Sequence, residues 1–239
     1  MAENMNRRTM MKAAGAAGVG LAATAAATHA QLLRRRKRRT YSGPSVHFNN
    51  EMFYDKDGKF KEDVAKDAYI AVMKYHGYPV YKDMKEKLWL TDYGTGQFTK
   101  IGLGCRMWVN NEKDRYMLMD IYLLPGQMLP EHWHIEAEGN PAKLEGWLVR
   151  YGLSHIVGEG EPNLSKEVVI PKLHCDGTSS VMHEVAAGPG DFVPLNRVGA
   201  HHWQFAGPEG AIITEVANVH TDSGVRHADK ALNDNFLGK

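Results

Sequence analysis

Two histidines separated by one residue, His132 and His134, are the first feature of this sequence that suggests chemistry. They follow Pro125 and Gly126, which predict a turn and then a strand. Side chains at i and i+2 of a strand point to the same face, so both imidazoles could reach one ion at about 2.1 Å. Such a pair is also common where histidines are merely packed or exposed. The spacing therefore predicts a metal site only together with further ligands.

Further carboxylate and imidazole groups follow at suitable spacings. Glu145 lies seven residues before Gly152, and a histidine pair follows Gly199. Neighbouring residues of an extended chain point to opposite faces, so only one of His201 and His202 is expected to join the site. The residues alone leave open which of the two it is. Together with Glu145 and a later histidine, the His132–His134 pair indicates a metal site more specifically than the pair does alone.

The elements that must hold these residues are mostly short strands. From Lys87 onward, β-rich runs are separated by Gly, Pro, Asn and Asp; they are LWLTDYG, FTKIGLGCRMWVN, YMLMDIYLL, EGWLVRYGLSHIVG, VVIPKLH, VMHEVAAG, DFVPLN, HHWQFAG and AIITEVANVH. Seven to nine strands with almost no helix between them predict an all-β, antiparallel barrel that can enclose one small ligand. Apolar residues at helical spacing predict one amphipathic helix at about 60–76. With no internal repeat, we expect a single domain at 59–239.

The ordered landmarks resemble a known family. The order G-x5-H-x-H, E-x6-G and then G…G-x2-H is similar to the metal-binding motifs of cupins, whose fold is a double-stranded β-helix, or jelly-roll barrel. The segments LTDYGTGQFTKIGLG (90–104), YMLMDIYLLPGQMLPEHWH (116–134), AKLEGWLVRYG (142–152) and ITEVANVHTD (213–222) look like landmarks of the D-lyxose isomerase family of cupins. That family interconverts an aldose and its 2-ketose with a divalent ion, usually manganese.

This resemblance implies one divalent ion per chain, with Mn²⁺ first and Zn²⁺, Fe²⁺ or Co²⁺ as alternatives. It implies four ligands: His132, His134, Glu145 and His202. The sequence departs from the family in the insertion IEAEGNPA, where Glu136 and Glu138 are expected to face solvent, and in Gly146, where the family has an acidic residue. Both departures bear on the mouth of the pocket and hence on the sugar.

Aldose-ketose isomerisation also needs a base that moves a proton between neighbouring carbons. Glu215 is the first candidate, because it shares a strand face with apolar residues such as Ile213, which should raise its pKa unless it is paired. The resemblance also places the family's glutamate there. Lys143 is the second candidate, since on an extended chain it would point the same way as Glu145, whereas in a loop it would be solvated. Trp147 is expected either to line the sugar pocket or to belong to the core.

Three functions stay open at this point. The first is a metal-dependent isomerase that converts a free sugar such as D-lyxose or D-xylulose through an enediol. The second is a cupin dioxygenase using iron or copper, since three histidines and a glutamate also suit oxygen chemistry. The third is an exported metal-binding cupin that binds sugar without turnover. The site rather than the fold must separate them. We also expect a homodimer.

The N-terminal residues are typical of an export signal. Arg7 and Arg8 precede a weakly apolar run at 13–27 that is too short and too rich in Ala and Gly for a membrane anchor. We therefore expect a twin-arginine signal peptide at 1–30, no stable membrane span, and a periplasmic or otherwise exported protein. The basic block at 34–39 is expected to stay solvated within a basic and polar linker at 31–58.

Charge and cysteine content exclude other classes. Of the 28 acidic residues, 27 lie after residue 40, against 20 of the 29 Lys and Arg residues, so the body of the protein is acidic and no nucleic-acid partner is expected.

Two cysteines are too few for a disulfide scaffold. Export permits a bond between Cys105 and Cys175, although the apolar strand around Cys105 is typical of a buried free thiol.

Overall fold

The structure, a computed structural model, describes residues 46–239. The predicted signal peptide at 1–30 and the basic block at 34–39 lie outside the described residues. In the described part of the predicted linker, a 3-10 turn at Asn50–Phe53 buries the Phe53 ring against the helix that follows. None of the helices within 46–239 is long and apolar enough to cross a membrane.

The first α-helix within residues 46–239, α1 (Glu62–His76), is the amphipathic helix expected at 60–76. Its apolar face buries Tyr69, Val72 and Met73 against one sheet, where they pack with Tyr122. The helix ends at Gly77, whose φ of 71° is a left-handed cap conformation that glycine adopts without strain. A single turn, α2 (Met84–Lys87), leads from there into the first strand.

Nine strands follow in the described chain: β1 (Trp89–Thr91), β2 (Leu103–Asn111), β3 (Tyr116–Leu123), β4 (Met128–His134), β5 (Glu145–Gly158), β6 (His183–Ala187), β7 (Phe192–Pro194), β8 (His202–Ala217) and β9 (Val225–His227). The pairs among them are antiparallel, and their order is β1-β2-β3-β8-β4-β9, with β5 pairing β6, β7 and β8. The predicted antiparallel, all-β architecture is confirmed.

Two long strands join the two walls of the barrel. The second half of β8 pairs with β3 and the first half of β5, whereas the first half of β8 pairs with β4 and the second half of β5. Strands β5 and β8 both pass from one sheet to the other at the point where Gly152 of β5 lies against Gly210 of β8. A Cβ on Gly152, which has a φ of 74°, would lie only 2.1 Å from the carbonyl oxygen of Gly210. Only glycine fits this crossing, and the result is a double-stranded β-helix with an N-terminal helix, as expected.

Several elements differ from the prediction. Strand β9 lies in none of the predicted runs, and the runs HHWQFAG and AIITEVANVH form the single strand β8. The run VVIPKLH is not a strand but part of the β5–β6 connection, because Pro171 interrupts it and Val169 is 64% exposed. A C-terminal helix, α3 (Lys230–Phe236), was not predicted; the Asp229 side chain caps it by accepting from the N–H groups of Ala231 and Leu232. Cys105 and Cys175 are both free thiols.

Candidate metal centre

Four side chains meet on the inner face of the barrel. His132 and His134 come from β4, Glu145 begins β5, and His202 begins β8. One ligand atom from each lies within 4.8 Å of those of the others, and all four residues are buried. His132 lies directly opposite His202 in the β4–β8 ladder. The pairing of these two strands therefore brings the His132–His134 pair next to the histidine that follows Gly199.

Backbone carbonyls orient two of the imidazoles. The Nδ1 atom of His132 lies 2.9 Å from the Pro130 carbonyl oxygen, and that of His202 lies 2.9 Å from the Ala200 carbonyl oxygen. A carbonyl only accepts hydrogen bonds, so each Nδ1 carries the proton and each Nε2 keeps a free lone pair. This arrangement is the usual one for histidines that bind a metal through Nε2.

The remaining donor atoms converge without satisfying one another. Nε2 of His134 and Nε2 of His202 lie 2.8 Å and 3.1 Å from Oε1 of Glu145, yet none of these buried atoms has a hydrogen-bond partner in suitable geometry. Buried polar atoms in proteins are normally satisfied. Three imidazole nitrogens and a carboxylate oxygen form a donor set that suits a divalent cation such as Zn²⁺, Mn²⁺ or Fe²⁺. The residues therefore fit a metal ion.

The electrostatics hold these groups in the form that a metal needs. Burial lowers the pKa of His134 to about 3 and places that of His132 well below its usual range. Burial alone would raise the pKa of Glu145, but Lys143 and the neighbouring histidines bring it well below its usual range. At neutral pH, these three side chains carry no proton that a metal ion would have to displace.

A second carboxylate is joined to the cluster through Lys143. Its Nζ atom lies 2.8 Å from Oε2 of Glu145 and 2.8 Å from Oε1 of Glu215. Lys143 precedes β5 in a loop, but it is buried rather than solvated. Burial would lower its pKa, and the two carboxylates raise it instead. The lysine therefore stays charged between them.

Glu215 is held from a second side by Trp147. These residues are paired in the β5–β8 ladder, and the indole Nε1 donates to Oε2 of Glu215 at 3.2 Å. Burial, reinforced by Glu145, raises the pKa of Glu215 to about 7, although Lys143 opposes the shift. Trp147 is buried in the barrel core and lies outside the lining of the main cavity, so of the two expected positions it takes the core one.

The other predicted residues lie away from the cluster. Nδ1 of His201 is 2.6 Å from Oε1 of Glu131, and the His201 ring stacks on Trp133 with centroids 4.2 Å apart. It faces the opposite side of the strand from His202. Glu136 and Glu138 are exposed, as expected.

A cavity of about 420 Å³ opens beside the four-residue cluster, within the roughly 300–1,000 Å³ range of small-molecule sites. Lys143 and Glu215 line it together with apolar side chains. The lining also includes residues that the sequence did not single out, among them Tyr93, Asp222, His227 and Phe236. His227 is buried, which lowers its pKa to about 4. In the sequence, His227 lies in a run of only three strand residues, which is too short to show a periodicity that would have marked it.

The comparisons with known proteins agree with this geometry. No protein-family model matches the chain. It is 33% identical over 167 residues to D-lyxose/D-mannose isomerase of Thermosediminibacter oceani, covering 70% of this chain and 88% of that protein. It is 31% identical over 158 residues to D-lyxose ketol-isomerase of Cohnella laeviribosi, covering 66% of this chain and 85% of that protein.

Solved structures show the same fold. The unliganded L-ribose isomerase of Cellulomonas parahominis superposes with a TM-score of 0.57 at 14% identity, covering 75% of this chain and 95% of that one. The L-ribose isomerase of Acinetobacter sp. DL28 with L-ribose superposes with a TM-score of 0.56 at 14% identity, covering 79% of this chain and 98% of that one.

Fold and site define a cupin-type protein with a buried cluster that could bind a metal ion. The chain belongs to the D-lyxose ketol-isomerase family of enzymes.

Proposed function

We propose that the protein is a metal-dependent aldose-ketose isomerase that acts on a free sugar such as D-lyxose or D-xylulose. The observation that carries the proposal is the buried Lys143–Glu215 pair, which lies at the cavity wall directly beside the four-residue cluster. A cluster that only binds a metal needs no such pair. An isomerase needs a base at this position, and the curated relatives named above are sugar isomerases.

The residues that would hold the metal ion are His132, His134, Glu145 and His202. A bound divalent ion supplies Lewis-acid stabilisation of negative charge on sugar oxygens, typically several kcal/mol. Mn²⁺ is the ion we expect first, and Zn²⁺, Fe²⁺ and Co²⁺ suit the same donors.

The proton transfer is assigned to Glu215. In the open-chain aldose, its carboxylate takes the proton from C2; the C2–H electrons form a C1=C2 bond, the C1=O1 π electrons move to O1, and O1 takes a proton from the Lys143 ammonium group to give the enediol. Glu215 then returns its proton to C1 as the C1=C2 electrons form the C1–H bond, while the O2–H proton returns to Lys143 and its electrons form the C2=O2 bond of the ketose. A base with a pKa near 7 suits this cycle, because it both accepts and releases a proton at neutral pH.

The role of Lys143 is to hold the base and to donate to a sugar oxygen. Its ammonium group contacts Oε1 of Glu215 and lines the cavity, so a donor and the base reach the substrate from the same wall. Trp147 holds the other carboxylate oxygen. Fixing both oxygens keeps the base in one rotamer, which places it for transfer at two adjacent carbons.

The test is turnover of the metal-loaded protein with a panel of pentoses and hexoses, with oxygen uptake followed in parallel. We expect interconversion of D-lyxose and D-xylulose without oxygen consumption, and loss of activity in Glu215→Gln. Oxygen consumption with an added substrate would instead support the dioxygenase alternative. Tight sugar binding without conversion, with the metal bound, would support the binding-protein alternative.

We further propose that the protein is exported through the twin-arginine route. What supports this is the order of Arg7, Arg8 and the small apolar run in the sequence, all outside the described residues. The route carries folded proteins, so the metal could be acquired in the cytoplasm, where the supply of ions differs. The homodimer also stays a prediction, which light scattering of the purified protein would test.

A further inference from the structure

His227 is a buried histidine of the cavity wall that the reaction proposed above does not use. It is 5% exposed and lines the cavity. Neither ring nitrogen hydrogen-bonds to any other group in the described part of the chain; the Glu131 backbone lies near the ring without the geometry of a hydrogen bond. Because buried polar groups are normally satisfied, this ring calls for a polar partner from within the cavity.

Strand pairing places His227 beside the candidate metal ligands but outside their cluster. Strand β4 lies between β8 and β9, and His132 is opposite His202 on one side and opposite His227 on the other. The rings of His132 and His227 have centroids 5.6 Å apart. His227 therefore lies on the side of β4 away from β8, which carries the proposed base Glu215.

The neighbouring groups fix the backbone of His227. Its N–H donates to Oδ1 of Asn233 in α3 at 3.0 Å, and the N–H of the next residue, Ala228, donates to the Glu131 carbonyl at 3.0 Å. The ring makes T-shaped contacts with Tyr93 and Phe236, with centroid distances of 5.0 Å and 5.1 Å. A ring held this firmly between aromatic side chains loses little conformational freedom when a ligand binds.

A sugar hydroxyl is the chemical partner that fits this ring. A neutral imidazole offers one donor and one acceptor, and a hydroxyl group also donates and accepts. In the proposed reaction, C1 and C2 face Glu215 and the cluster, and the cavity continues from there to the β9 side, where His227 offers a polar group. We propose that His227 binds a hydroxyl of the sugar beyond C2 and thereby determines which sugars are accepted. This inference rests on the proposed isomerase function.

The test pairs enzyme variants with deoxy sugars. His227→Phe keeps an aromatic ring but has no polar atom, and His227→Gln keeps a donor and an acceptor. His183→Phe is the control, because His183 lies on β6 and is absent from the cavity lining. With the parent sugar, we expect His227→Phe to lower kcat/KM about ten- to hundred-fold, mostly through KM, with metal content unchanged and with partial recovery in His227→Gln.

The decisive comparison uses substrates that lack one hydroxyl at C3, C4 or C5. The wild type should lose efficiency with one of these sugars, and His227→Phe should show no further loss with that sugar. Equal losses with every sugar would overturn the proposal, as would loss of the metal from His227→Phe, since either would mean a structural or ligating role.

A binding measurement separates this inference from the proposed function. The alditols of the same sugars cannot be isomerised, and calorimetry with the metal-loaded protein measures their affinity without turnover. Weaker alditol binding by His227→Phe in a protein that does not isomerise sugars would support the hydroxyl contact and remove the isomerase function. Unchanged alditol binding in an active isomerase would remove only the role of His227. A protein that neither isomerises sugars nor binds alditols would contradict both.

Discussion

Lys143 and Glu215 form a buried ion pair in which Nζ lies 2.8 Å from Oε1, and each residue is 5% exposed or less. The same Nζ lies 2.8 Å from Glu145, so one ammonium group separates two carboxylates that would otherwise repel each other. Glu145 thereby stays ionised, whereas Glu215 has a pKa near 7. Two buried glutamates of one site thus differ in their readiness to take up a proton, which suits the tasks proposed for them: binding a cation for Glu145 and carrying a proton for Glu215.

Replacing Glu215 by Gln should lower kcat by about 10² to 10⁴-fold, because an amide cannot accept the proton at neutral pH. KM should change less. Steady-state kinetics and metal analysis measure both effects. The matched control is Glu136→Gln, an exposed carboxylate that should leave the rate unchanged. Unimpaired isomerisation by Glu215→Gln would exclude Glu215 as the base.

Replacing Lys143 by Met should destabilise the metal-free protein by about 3–5 kcal/mol, because two buried carboxylates lose their shared cation. A bound divalent ion would compensate Glu145, so the loss should be smaller with metal present. Denaturant unfolding with and without added Mn²⁺ measures the difference. A loss of the same size in both conditions would argue against the ion binding at this cluster.

Metal content should separate the two adjacent histidines. His202→Ala should lose most of the bound metal, since it removes one of four donors from a closed cluster. His201→Ala should keep the metal, because His201 contacts Glu131 and Trp133 instead. Elemental analysis of the two purified variants tests this, and the reverse order of metal content would contradict the proposed ligand set.

Acid should weaken the contacts of Glu131. Burial would raise its pKa, but hydrogen bonds from Ser180 and His201 lower it below its ordinary value of 4.5. A lowered folded-state pKa stabilises the protein fully above that ordinary value, and the stabilisation is lost as the pH falls through the folded-state pKa. The free energy of unfolding of the wild type should therefore fall more steeply below pH 4.5 than that of Glu131→Gln. Parallel curves for the two proteins would show that Glu131 contributes nothing to the pH dependence.

Export should depend on the arginine pair. Replacing Arg7 and Arg8 by Lys should trap the precursor in the cytoplasm, because the twin-arginine route requires the paired guanidinium groups. Deleting the basic block at 34–39 is the control and should leave passage possible. Cell fractionation followed by immunoblotting measures both. Normal export and cleavage of the double-lysine precursor would show that another route carries the protein.

Short β-rich runs separated by turn residues were enough to predict the barrel, and the resemblance to the cupin motifs implied the four side chains that the structure brings together. Local patterns did not reveal β9 or α3, since a three-residue strand has no measurable period and depends on its distant partner β4. For the same reason His227 was missed. The run VVIPKLH has the composition of a strand, but β5 is already paired with β6 and β8 through residues 154–158, and Pro171 interrupts the run. For β9, for His227 and for the run VVIPKLH, the structure therefore depends on pairing with distant strands, which a local sequence pattern does not show.

Strand β8 carries His202 at its first residue and Glu215 near its end, and it bends where Gly210 faces Gly152. A Cβ at Gly210 would come within 2.7 Å of the Leu123 carbonyl oxygen, so the close packing of this bend admits only glycine. His202 and Glu215 are therefore joined by one continuous length of backbone, and Lys143 and Trp147 hold both carboxylate oxygens of Glu215. In the proposed reaction, which serves two adjacent carbons in turn, this arrangement gives a stationary base, and the small displacement required would come from the sugar.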